Sequence, residues 1–194
     1  MIEFEKLLKK VFERLEGLQI SYLVGGSFAT GAHGNVRQTN DLDLLIDLKP
    51  DQVPAFVAEF ASDSMVSETE ILEAIESRRP YASFQVLLID EFFKLDCFVL
   101  QTDSFSQSEM SRRVRIPISE GVMGWCATPE DIILRKLQWF VLGNKVSDRQ
   151  WNDIVGVLEV QYGRLDENYL DDWATKLNVQ DLLDEARSQV IVVD

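Results

Sequence analysis

The residues best able to do chemistry stand in the segment Tyr22–Leu48, YLVGGSFATGAHGNVRQTNDLDLLIDL. From Asp41 the residues alternate, with Asp41, Asp43, Leu45 and Asp47 on one face and Leu42, Leu44, Ile46 and Leu48 on the other. Period two is the mark of a strand, and the wholly apolar face belongs to a core. The other face opens with two carboxylates one pleat apart, near enough to share a divalent cation. Hard cations such as Mg²⁺ take oxygen ligands, commonly one or two carboxylates plus substrate phosphates. Upstream, Gly25 and Gly26 let the backbone turn sharply and approach a ligand closely. Ser27 suits the N-cap of a short helix, and a turn feeding a helix N-terminus aims several N–H groups at one point that attracts phosphate. A phosphate cradle followed by a same-face acidic pair suits chemistry on a nucleoside triphosphate.

Other residues admit two readings. Asp41 and Asp43 could open a solvated strand, but Asp is disfavoured in strands, which favours metal binding here. Asp96 lies in the apolar run FFKLDCFVL, where a carboxylate is costly unless it is paired, with Lys94 on its own face, or metal-bound. Arg37, between the glycine turn and the acids, is either a loop cation or a phosphate contact. His33 reads as a helix-end or loop residue. The four tryptophans read first as core aromatics; Trp139 and Trp151 are the two placed to flank a site as base-stacking platforms.

These residues need a scaffold. Residues 2–18 carry an apolar stripe at Phe4, Leu7, Leu8, Val11, Phe12 and Leu15, the pattern of an amphipathic helix. The glycine-turn strand and the acidic strand follow. A helix capped by Asp51 is expected to about Ala61, a polar break over residues 62–67, and a second helix from about Ser67 to Arg79. Residues 82–100 read as a hairpin turning at Asp90-Glu91, with Phe93, Leu95, Cys97 and Val99 on one face and Lys94, Asp96 and Phe98 on the other. A short polar helix over residues 102–110 precedes two strands turning at Glu120-Gly121. Thr128-Pro129-Glu130-Asp131 is a strong helix start: a Thr cap, Pro in the first turn and acids near the N-terminal dipole. Further helices follow from Ser147 or Asp148, Asp166 and Val179. The expected architecture is α+β, a mixed sheet with flanking helices over residues 1–127 and a helical cap over residues 128–194.

Gly25-Gly26-Ser27, Arg37, Thr39 and Asp41-Leu42-Asp43-Leu44 resemble the nucleotidyltransferase superfamily of the DNA polymerase β type, in its minimal branch. The resemblance implies that the glycine-serine turn holds a triphosphate. It implies that Asp41 and Asp43, with Asp96 as third ligand, hold two Mg²⁺ or Mn²⁺ ions. TPEDIILRKLQWF followed by DRQWNDI is similar to minimal nucleotidyltransferases related to abortive-infection toxins. In that pattern Lys136 approaches the triphosphate, and a toxin–antitoxin partner protein becomes possible. Gln150 departs from it, since relatives usually place an acid before the Asp-Ile step; Asp153 matches the later acid. The implied activity is transfer of a nucleoside monophosphate to an acceptor hydroxyl of a protein, small molecule or RNA. The alternative is a non-catalytic binding module on the same fold.

Composition narrows the field. The chain has 194 residues, 33 acidic against 19 basic, and a formal net charge of −14. That balance argues against a broad nucleic-acid surface, although Arg112, Arg113 and Arg115 lie close enough for a small basic patch. Cys97 and Cys126 read as buried free thiols, consistent with a reducing, cytoplasmic setting. One histidine and no Cys-x-x-Cys make structural zinc a poor fit. No apolar run is long enough to span a membrane.

Overall fold

The structure, a computed structural model, describes residues 3–34, 41–77 and 79–191. Its elements in chain order are α1 (Glu3–Gly17), β1 (Ser21–Val24), α2 (Gly26–His33), β2 (Asp41–Asp47), α3 (Val53–Phe60), β3 (Ser64–Met65), α4 (Glu68–Glu76), β4 (Ser83–Leu88) and β5 (Phe93–Val99). There follow α5 (Ser104–Arg112), β6 (Val114–Ser119), β7 (Val122–Cys126), α6 (Pro129–Leu142), α7 (Asp148–Val160), α8 (Glu167–Lys176) and α9 (Gln180–Ser188). The strands form one mixed sheet in the order β3-β4-β5-β2-β1-β7-β6. The acidic strand β2 is central, antiparallel to β1 and parallel to β5. The fold is α+β.

Each face of the sheet buries its own core, as a two-sided sheet must. On one face Leu42, Leu44 and Ile46 of β2 and Leu95, Cys97 and Val99 of β5 pack under α1, α3 and α4. The apolar stripe of α1 behaves as its period dictates: Leu8, Val11, Phe12 and Leu15 are buried, each worth about 1.5–3 kcal/mol of transfer free energy. The opposite face carries Leu23 of β1 and meets α2 and α5–α9 through Ile133, Leu137, Ile154 and Val157. This second face presents Asp41 and Asp43, so the helices covering it decide what surrounds them.

Outside the glycine turn, local structure departs from the sequence reading at three places. Lys49-Pro50 opens a 3₁₀ turn, Pro50–Gln52, and the α-helix begins only at Val53, where Pro54 suits the first turn; Asp51 does not cap it. The polar break holds β3, which pairs Ser64 with Leu88 and Met65 with Leu87 on the sheet edge. The helix expected to reach Arg79 stops at Glu76, with Ser77 already extended. Among the described residues no helix is long and apolar enough to cross a membrane.

Candidate active site

The glycine turn and the acidic strand are built against each other. Gly25, not Ser27, is the N-cap of α2, and no side chain caps the helix. The shift has a steric reason. Gly26 has φ +52°, and a Cβ there would lie 1.7 Å from Asp43 Oδ2. Only glycine lets the chain turn so close to the carboxylate. The Gly25 N–H donates to the Asp43 carbonyl at 2.9 Å, and the Ser27 N–H donates to the Asp43 side chain. Ser27 therefore sits inside the first turn, buried, with its Oγ 3.5 Å from Arg149 Nη2.

Register supplies the rest of the acidic cluster. β2 and β5 run parallel with Asp43 opposite Asp96 and Asp41 opposite Lys94. Both strands alternate buried and half-buried residues, so the acids share the face opposite the first core. Burial, then the charges of Asp41 and Asp96, push the Asp43 carboxyl up to about 6 against the pull of Lys136 and the Ser27 amide. Asp96 is engaged: Lys94 Nζ lies 2.6 Å from its Oδ2, and Gln85 Nε2 donates to its Oδ1 at 2.9 Å. The ion pair with Lys94 that the sequence offered is present, and Asp96 stands opposite Asp43. That ion pair raises the Lys94 pKa, helped by Asp41 and Asp43. Among the described residues no three acidic, histidine or cysteine side chains already form a metal cage. The donor chemistry nonetheless suits a hard cation, because adjacent carboxylates repel and an oxygen-seeking cation relieves that repulsion.

Lys136 arrives from α6. Thr128 Oγ1 accepts from the Asp131 N–H, and Tyr169 and Arg112 bind the same acid, which locks the start of the helix. Glu130 accepts from Arg112 and from the Asp166 N–H. The acids of the PED segment thus hold α6 in place. Two turns on, Lys136 is buried, with Nζ 2.8 Å from Asp153 Oδ2 and 3.4 Å from Gln150 Oε1. Gln150, the departure from the family pattern, is therefore a neutral acceptor for the same ammonium. Arg37 and Thr39 lie outside the described residues.

Gly25, Gly26, Ser27, Asp41, Asp43 and Lys136 line one cavity of about 710 Å³. Asp96 does not line it. The same cavity is walled by residues that the sequence reading did not single out. Arg149 enters from the first turn of α7. Tyr81 and Phe98 meet Trp139, with ring centroids 4.4 and 5.7 Å away. Arg135, its charge matched by Glu109 of α5, lies over the rings of Tyr81 and Phe105. Trp139, singled out in the sequence, does line the cavity; the signal for Arg135 was its place beside Lys136 on one helix, and nothing local marks Tyr81 or Glu109.

Several other residues have structural work. Trp151 packs on Phe140 and donates to Gln189, away from the cavity. His33 ends α2 with Nε2 3.0 Å from the Ala127 carbonyl, and burial lowers its pKa. Arg112 stacks on Tyr169, and Arg113 and Arg115 lie over Trp125, so the three arginines are spread over aromatic faces and acids. Both cysteines are buried and free, their thiols pushed up by burial.

No protein-family model matches the sequence, and no curated protein matches it. In structure the chain is similar to an antigenic nucleotidyltransferase-like protein from Paracoccidioides brasiliensis, at 18% identity and a TM-score of 0.52, over 98% of this chain and 94% of that one. It is similar to ANT(2'')-Ia in complex with adenylyl-2''-tobramycin, at 13% identity and a TM-score of 0.59, over 92% of this chain and 98% of that one. It is also similar to lincosamide antibiotic adenylyltransferase LnuA with lincomycin bound, at 12% identity and a TM-score of 0.52, over 82% of this chain and 98% of that one. Over nearly its whole length, the chain has the fold of these nucleotidyltransferases.

Proposed function

We propose that this protein is a nucleotidyltransferase that moves a nucleoside monophosphate from a nucleoside triphosphate to an acceptor hydroxyl. One observation carries the reading: a glycine turn fitted against Asp43, which shares one cavity with Asp41 and Lys136 and stands beside Asp96. The acceptor oxygen attacks the α-phosphorus, the bond to the β-phosphate oxygen breaks, and pyrophosphate leaves with the electron pair. Asp96 takes the acceptor proton. The Gly25–Ser27 turn, Lys136 and Arg149 hold the departing phosphates, and residues 128–194 act as a cap that brings the cations to them. Arg37 is a further phosphate contact. Asp41, Asp43 and Asp96 would hold Mg²⁺ or Mn²⁺, two ions in the full complex, which would neutralise charge on the transferring and leaving groups. Positioning and charge neutralisation supply most of the rate.

The acceptor is best read as a small hydroxylated molecule. The formal charge of −14 disfavours RNA, and ANT(2'')-Ia and LnuA hold an adenylylated antibiotic and an antibiotic respectively. A second reading, a binding module without turnover, draws on the engagement of Asp96 by Lys94 and Gln85.

A thermal melt tests both readings. A nucleoside triphosphate with Mg²⁺ or Mn²⁺ should raise the melting temperature, because a ligand that binds only the native state stabilises it by mass action. No shift at millimolar nucleotide with either metal overturns both readings. A shift without pyrophosphate release across a panel of hydroxylated acceptors favours the binding module.

A further inference from the structure

We infer that the aromatic wall formed by Trp139, Tyr81 and Phe98 is the nucleobase subsite. The inference rests on the nucleotidyltransferase reading and assigns the base end of its site. Three half-buried rings converge on the cavity, yet the phosphate chemistry uses none of them. Trp139 follows Lys136 by one turn on α6, so the wall is joined to a phosphate-holding residue by a rigid element. Tyr81 adopts φ +61°, a strained angle for a tyrosine, which the surrounding structure holds in place with its ring against Trp139.

Asp41, Asp43 and Lys136 line the same cavity as the three rings, so the phosphate-holding groups and the aromatic wall face one chamber. Every base has a π-face, so an aromatic wall binds the nucleoside part with little demand on sequence of hydrogen-bonding groups. Gln138, next to Trp139, also lines the cavity, and its Oε1 accepts from Arg135 Nη1 at 3.1 Å.

Binding of ATP, GTP, CTP, UTP and inorganic tripolyphosphate, each with Mg²⁺, tests the assignment by calorimetry on wild type, Trp139→Leu and Trp139→Phe. Stacking is typically worth enough that Trp139→Leu should weaken the best nucleotide about ten-fold. Tripolyphosphate affinity should stay unchanged, and Trp139→Phe should recover most of the loss. Melting curves identify a variant that has simply lost its fold; in that case Tyr81→Leu, on the loop before β4, carries the same comparison. If wild type gains nothing from any base over tripolyphosphate, or if the variants lose both ligands equally, the assignment is overturned while the phosphate site stands. If wild type binds neither class, the nucleotidyltransferase reading falls and takes this assignment with it.

Discussion

Asp43 and Asp96 stand side by side on parallel strands, yet they are held by different partners. Asp43 is held by the Ser27 amide of the glycine turn, Asp96 by Lys94 and Gln85. One carboxylate is therefore tied to the glycine turn and the other to neighbours on β5 and β4, all on one face of the sheet.

Asp43→Asn should abolish metal-dependent transfer and leave the metal-free protein as stable or more so. The Asp43 carboxyl is raised to about 6, so the folded chain holds its proton more tightly than the unfolded chain does. Stability from this group is then full below about pH 4 and lost as pH rises to about 6, by at most about 3 kcal/mol. Urea denaturation of both proteins without metal, at steps from pH 4 to 7.5, checks it. Wild type should lose stability across that window, and the variant should lose less. A variant less stable than wild type at pH 7.5 would make Asp43 a structural acid.

Lys136→Ala should weaken triphosphate binding more than monophosphate binding, because the proposed function assigns the ammonium to the distal phosphates. It also strips a buried partner from Asp153, so a stability loss of about 1–3 kcal/mol is expected. Calorimetry with both nucleotides separates the two effects. Equal losses for both would assign Lys136 to the fold alone.

Lys94→Met should destabilise the metal-free protein by about 1 kcal/mol or less, since the pair with Asp96 is partly exposed. Mg²⁺ should restore more stability to the variant than to wild type, because the carboxylates lose their internal counter-charge. Parallel melting curves with and without Mg²⁺ measure the difference. A variant whose response to metal matches wild type would separate Lys94 from the acidic cluster.

Gly26→Ala should cost about 1–3 kcal/mol, as a residue with a Cβ is forced into a left-handed angle against Asp43. Gly25→Ala meets nothing within 4 Å and should cost less in stability. Chemical denaturation of the two variants gives the comparison, and equal stability would mean the turn relaxes.

The sheet was legible because its strands alternate: period two placed Asp41, Asp43 and Asp96 on their faces without reference to neighbours. Capping chemistry gave α6 and α7 their starts at Thr128 and Ser147. What could not be read was partnership between distant segments. Ser27 looks like a cap because the contact that displaces it, Gly26 against Asp43, is long-range. Trp139 and Trp151 look alike in sequence, yet only Trp139 reaches the cavity, because Phe140 and Gln189 occupy Trp151. β3 is two residues long, too short for any period to show.

Helix α6 works as a ruler. Its axial rise is about 1.5 Å per residue, so the interval between Lys136 and Trp139 is set by backbone geometry and not by side-chain choice. Replacing Gln138 alters one graduation. Inserting one residue before Trp139 turns everything beyond it by about 100° and swings the ring out of the cavity. Length in this stretch should therefore be under stricter constraint than composition.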